Sequence, residues 1–235
     1  LTTVRDELLE TVAATRALLR TEFERGDEVV RVGTHLLERL EQIRRPPPSK
    51  KLLDRLDSLR RRASQCVKCK LHETRTTVVF GEGDPRARLL FVGEAPGHDE
   101  DIEGRPFVGR AGQLLTRIIE SIGLTRDDVY IANILKCRPP DNRNPLPEEI
   151  ACCLPYLTEQ IELIRPRIIC ALGACAAQTL LGSTEGITKL RGTFYDYHGT
   201  KLIPTFHPAA CLRNPATKKY VWEDMKRIRK EYSMP

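Results

Sequence analysis

The stretch ARLLFVGEAPGHDEDIEGRPFVGRAG, residues 87–112, changes character partway along. Residues 87–93 form a short apolar run suited to a buried strand. Glycines, prolines and acids then take over as far as Gly109, where apolar positions return at helical spacing. A strand that opens into such a loop and re-enters as a helix is the first half of a strand–helix–strand unit. The loop sacrifices regular structure for backbone geometry, as a ligand-binding turn does.

The same alternation continues along the chain. VYIANIL (129–135) reads as a strand, followed by a Pro-rich loop and a helix over 147–164. RIICALG (167–173) reads as a third strand with a helix over 176–181, and TKLIPTFHP (200–208) as a fourth, before a closing helix over 217–232. This order predicts an α/β fold, a three-layer α/β/α sandwich around a central four-stranded parallel sheet. In such sheets ligands bind beyond the carboxyl ends of the strands. Those ends carry Glu94 and Ala95, then Asn133, then Gly173, then His207, and they should converge on one edge.

Upstream, residues 1–45 show apolar positions at helical spacing and are expected to form a two-helix extension. Residues 46–52, with three consecutive prolines, read as a stiff linker, and 53–235 as the main domain. The extension could mediate self-association or bind a protein partner. No apolar run approaches the length that crosses a bilayer, and the first residues lack the features of a secretory signal. An intracellular protein with no membrane partner is expected. The net charge of +6 is compatible with a polyanionic partner, and residues 201–235 hold eight Lys or Arg against three acids.

Eight cysteines are many for a reducing compartment, and clustering there favours metal over disulfides. Cys66 and Cys69 form a CxxC pair; Cys137 and Cys153 follow as single thiols with fifteen residues between them. Four thiolates suit zinc or an iron–sulfur cluster, and one pair plus two lone cysteines leans toward the latter. Spacing alone does not decide between Cys152 and Cys153. Cys170, Cys175 and Cys211 read as buried apolar residues, and Trp222 as core of the last helix.

GEAPGHDEDIEGRPFVGRAGQLL, NILKCRPPDNRNPLPEE and FHPAACLRNP together resemble the iron–sulfur (family four) uracil-DNA glycosylases over roughly residues 53–230. The resemblance implies a [4Fe–4S] cluster on Cys66, Cys69, Cys137 and Cys153. It implies uracil-containing DNA as partner, in the nucleoid of the cell, and base-excision repair as the process. Glu94 and Ala95 match positions that wrap the uracil, Phe107 the ring that stacks on it and Asn133 the amide that reads it. Glu100 matches an acid implicated in ligand contacts and catalysis, and His207 a histidine beside uracil O2. Leu212 matches a residue that wedges into the duplex, and Cys211 departs from the bulky apolar residue usual before it; Arg213, Lys218 and Lys219 read, from their charge, as phosphate contacts. Ala95 stands where classical uracil glycosylases carry a water-activating Asp, which leaves the general base open between Glu100 and a dissociative route.

The chemistry suits these residue types. A side-chain amide donates and accepts in one plane, matching uracil O4 and N3–H but not the reversed pattern of cytosine. A buried amide left unpaired costs about 1–3 kcal/mol, enough to discriminate. A donor at O2 stabilises the uracil anion as the glycosidic bond breaks. A non-catalytic iron–sulfur DNA-binding protein is the rival from another class. A covalently trapping relative uses a histidine on an inserted loop, and residues 133–149 contain neither.

Overall fold

The computed structural model describes residues 47–233, with residue 13 besides, and the chain divides into two compact units, 1–47 and 48–235. The helices expected over 1–45, with their partner-binding role, otherwise lie outside the described residues. Helix α1 (Lys50–Ser64) starts behind Ser49, whose hydroxyl accepts from the Leu52 amide at 3.2 Å. This is an ordinary N-cap, and it places the helix inside the segment expected as linker.

Six strands form one sheet: β1 (Glu82–Gly83), β2 (Leu89–Gly93), β3 (Tyr130–Asn133), β4 (Ile168–Leu172), β5 (Tyr195–Tyr197) and β6 (Thr200–Thr205). Their order is β1-β3-β2-β4-β6-β5. The inner four are parallel, as the sequence predicts. The two short edge strands are antiparallel additions that the sequence reading did not contain. β5 and β6 are joined through His198 and Gly199 at φ 49° and 83°, a two-residue turn whose left-handed backbone matches strand twist.

The helices are α2 (His98–Glu103), α3 (Arg110–Ser121), α4 (Pro147–Ile164), α5 (Ala174–Leu181), α6 (Ile187–Leu190), α7 (Pro208–Arg213) and α8 (Lys218–Tyr232). Alternate strand residues face opposite sides, as the pleat requires. Leu90, Val92, Ala132, Ile169 and Ala171 meet α4 and α5 through Leu157, Ile161 and Ala177. Leu89, Phe91, Ile131, Cys170 and Ile203 meet α3 and α8 through Leu115, Ile119, Met225 and Ile228. These are the two outer layers of the expected sandwich. A third cluster packs Leu56, Leu59 and Ala63 of α1 on Tyr156 and Leu163 of α4. Trp222 is exposed on α8, contrary to its expected place in the core, while Val221 and Met225 fill that position.

The chain passes from β2 to β3 on one side and from β4 to β6 on the other. Loops therefore leave the adjacent ends of β2 and β4 in opposite directions, which opens a crevice between them.

Candidate active site

That crevice is a cleft of about 620 Å³. Glu94, Ala95, Glu100, Phe107, Asn133 and His207 all line it, so the structure brings together the residues that the motifs single out. Gly93 and Asn133 pair across β2 and β3. A Cβ on Gly93 would lie 2.3 Å from Asn133 Oδ1 and 2.5 Å from Phe107 Cζ. The missing side chain is what lets amide and ring meet over the strand end.

Asn133 is only 1% exposed, and its Oδ1 is buried without a hydrogen-bond partner. An orphaned acceptor of this kind costs about 1–3 kcal/mol, so a ligand N–H arriving there recovers a real penalty.

Phe107 sits beside it at φ 55°, an unusual backbone state for an aromatic residue. Arg126 holds that state. Its guanidinium donates to the Phe107 carbonyl at 3.1 Å and the Pro106 carbonyl at 2.7 Å, and pairs with Glu82 of β1 at 2.5 Å. Gly112 completes the clamp, since a Cβ there would fall 1.8 Å from the Phe107 carbonyl oxygen. Strain retained beside a cleft is a mark of a functional site.

His207 caps α7, and its Nδ1 accepts from the Ala209 amide at 3.1 Å. An acceptor nitrogen carries no proton, so the hydrogen bond assigns the proton of the neutral ring to Nε2. Burial, with Arg213 adding repulsion, lowers the His207 pKa to about 4. The residue is therefore a neutral imidazole, its ring 5.5 Å from that of Phe107. The β6 end that leads into it is anchored by Asp224, which accepts from Thr205 Oγ1 at 2.6 Å and pairs with Arg191 at 2.5 Å.

Glu100 is committed to the backbone of its own loop. Oε1 accepts from the Val108 and Gly109 amides at 2.9 and 3.0 Å, and Oε2 from Gly97 at 3.1 Å. The neighbouring Asp101 accepts from the Thr76 and Thr77 amides, tying the loop to the segment after the CxxC pair. Glu94 is half-buried, and burial raises its pKa, with a hydrogen bond from Cys175 opposing the shift. Cys175 lines the cleft rather than the core where the sequence reading places it; Cys170 and Cys211 are buried as expected. Arg213 is exposed at the cleft edge. Leu212 does not line the cleft; it is half-buried against the α3–α8 core.

A second cavity is lined by Cys66, Cys69, Cys137 and Cys153, joined by Cys152 and His72. The Lys136 amide donates to Cys153 Sγ at 3.1 Å and Arg75 to Cys137 Sγ at 3.3 Å. Cys152 instead donates to the Lys68 carbonyl at 3.4 Å. Among the described residues no three His, Cys, Asp or Glu side chains close on a point as a single metal ion requires. The thiols line a small enclosed cavity, and sulfurs receiving N–H donors suit an iron–sulfur cluster. Burial pushes the Cys153 thiol up to about 12, a state that a bound cationic centre would reverse.

The family model of the uracil DNA glycosylase superfamily matches residues 80–226. A type-4 uracil-DNA glycosylase of Saccharolobus solfataricus is 48% identical over 77% of this chain and 88% of its own length. One of Thermotoga maritima is 50% identical over 72% and 90%, and one of Archaeoglobus fulgidus 46% over 75% and 92%. On these similarities the chain belongs to the uracil DNA glycosylase superfamily.

Proposed function

We propose that this chain is a monofunctional uracil-DNA glycosylase that starts base-excision repair. The observation that carries the reading is the buried, unpartnered Asn133 Oδ1 facing the cleft beside Phe107. A uracil turned out of the DNA stack supplies the N3–H that this oxygen lacks, and the amide NH₂ donates to O4. Cytosine offers no N–H at N3 and presents a donor at position 4. Phe107 stacks on the extruded base, a contact worth about 1–3 kcal/mol.

In the reaction the C1′–N1 bond breaks and its electron pair stays on the base. Charge delocalised to O2 is met by the His207 Nε2–H, while water adds at C1′ and passes its proton to bulk water, from which the departing uracil anion takes one up. A neutral donor suits this task, because it can hydrogen-bond the developing anion without first requiring protonation of the ring. Glu100 contributes a fixed carboxylate that shapes the loop over the base and places negative charge near the sugar.

Cys66, Cys69, Cys137 and Cys153 would hold a [4Fe–4S] cluster, which when bound cross-links the segment after α1 to the loop after β3 and to α4. Arg213 and the exposed Arg143 at the cleft edge are proposed phosphate contacts. A wedge role for Leu212 requires α7 to release it from the core. Uracil-containing DNA as substrate places the protein with the chromosomal DNA inside the cell. No helix among the described residues is long and apolar enough to cross a membrane.

The test is alkali-induced breakage of oligonucleotides carrying one uracil, treated with wild type, Asn133→Ala and His207→Ala. Breaks by wild type that fall by at least about tenfold in each variant support the reading. Intact DNA with wild type that still binds favours the non-catalytic alternative, and a denaturation-resistant protein–DNA band the covalent one.

A further inference from the structure

One buried charge has no part in the chemistry above. Lys136 is 1% exposed, and its Nζ donates to the Asn133 carbonyl at 2.9 Å and to Gln160 Oε1 at 2.6 Å. The ammonium also lies 6.0 Å from the centroid of the Phe80 ring. Its backbone is equally engaged: the amide donates to Cys153 Sγ at 3.1 Å, and the carbonyl accepts from Val79 at 2.8 Å. Among the described residues no carboxylate lies within ion-pair distance of Nζ. Burying an ammonium against neutral acceptors alone is costly, and a nearby negative charge would offset that cost.

The chemistry that could supply that charge is the thiolate set beside it. A [4Fe–4S] core held by four thiolates is a net anion, and two cations adjoin the cavity that would contain it. Arg75 reaches Cys137 Sγ. Lys136 also lines the cavity, its backbone amide bonding the Cys153 sulfur and its Nζ the carbonyl of the base-reading residue.

Resting on the glycosylase reading, we propose that Lys136 is a positioning residue. It balances the cluster's negative charge and, through the Asn133 carbonyl, fixes the end of β3 that presents the amide to uracil. Uracil reading thereby depends on an intact cluster without any electron passing through it. The four-residue step from Asn133 to Cys137 is the covalent half of this link, and the Nζ hydrogen bonds are the other half.

The test compares iron-loaded wild type, Lys136→Met and Gln160→Glu. Three quantities are read: iron content, the midpoint potential of the cluster by spectroelectrochemistry, and single-turnover excision against DNA affinity. Removing a nearby positive charge makes reduction harder, so K136M should shift the potential downward. Its excision rate should fall roughly ten- to a hundredfold with DNA affinity unchanged, the range seen when outer-sphere partners of metal ligands are lost. Q160E gives up the Gln160 donor to the Phe80 carbonyl, offers Lys136 a rival anion and leaves the Asn133 carbonyl as its acceptor, so the potential should fall while excision is retained. This variant keeps the proposal testable if K136M does not fold. An unchanged potential in either variant, or unchanged excision in folded K136M, overturns the proposal. Wild type that holds iron but excises nothing overturns the glycosylase reading on which it rests.

Discussion

His207 shows how one backbone contact selects a protonation state. The Ala209 amide occupies Nδ1, so the neutral ring has its proton on the opposite nitrogen, and burial keeps the ring neutral down to about pH 4. An unfolded chain takes up that proton near pH 6.5, an ordinary value for histidine. Between those values the unfolded state binds more protons, so stability rises with pH across the window and falls on acidification through it. His207→Asn keeps an acceptor for Ala209 but cannot titrate. Its stability should therefore decline less than that of wild type between pH 6.5 and pH 4, as urea denaturation would measure. Parallel curves would contradict the buried neutral assignment. Asn133, Phe107 and His207 were readable in the sequence because they stand inside long motifs. Arg126 and Lys136 were not, because each acts through a contact that only folding creates.

Among the elements, the loop from β2 through α2 to α3 carries the site, and Glu100 is its internal clamp. Three amides from both ends of the loop converge on one carboxylate, which replaces the regular hydrogen bonds that the glycines and prolines forgo. Glu100→Ala leaves those amides to water or unpaired, and should cost about 1–3 kcal/mol of stability together with excision activity. Thermal denaturation beside the excision assay checks this; lost activity at an unchanged melting temperature would assign Glu100 to chemistry alone. The four parallel strands and the longer helices follow from apolar runs and helical spacing, and α4 begins and ends where the sequence places it, at Pro147 and Ile164. The edge strands escaped because two or three residues carry no periodicity. Their role is structural all the same, since Glu82 on β1 holds the Arg126 that holds Phe107.

Across the main unit, two centres share one scaffold. The thiol-lined cavity joins three separated segments, and Asp101 and Lys136 connect it to the loop and the strand end that form the cleft. The cysteine spacing made the thiol-lined cavity readable as a proposed cluster site, while its proximity to Asn133 depends on how β3 and α4 pack. The same packing explains why Cys152 and Cys153, adjacent in sequence, differ: one bonds a carbonyl near the CxxC pair, the other receives an amide from the β3 loop. In the proposed function the amide of Asn133 reads the N3 edge of a flipped uracil. The most direct test is single-turnover excision from oligonucleotides carrying deoxyuridine or its N3-methyl derivative, by wild type and Asn133→Ala. The account predicts rapid excision of uracil by wild type, no measurable excision of the N3-methylated base, and a loss of at least about tenfold on uracil in the variant. Equal excision of both bases by wild type would contradict it.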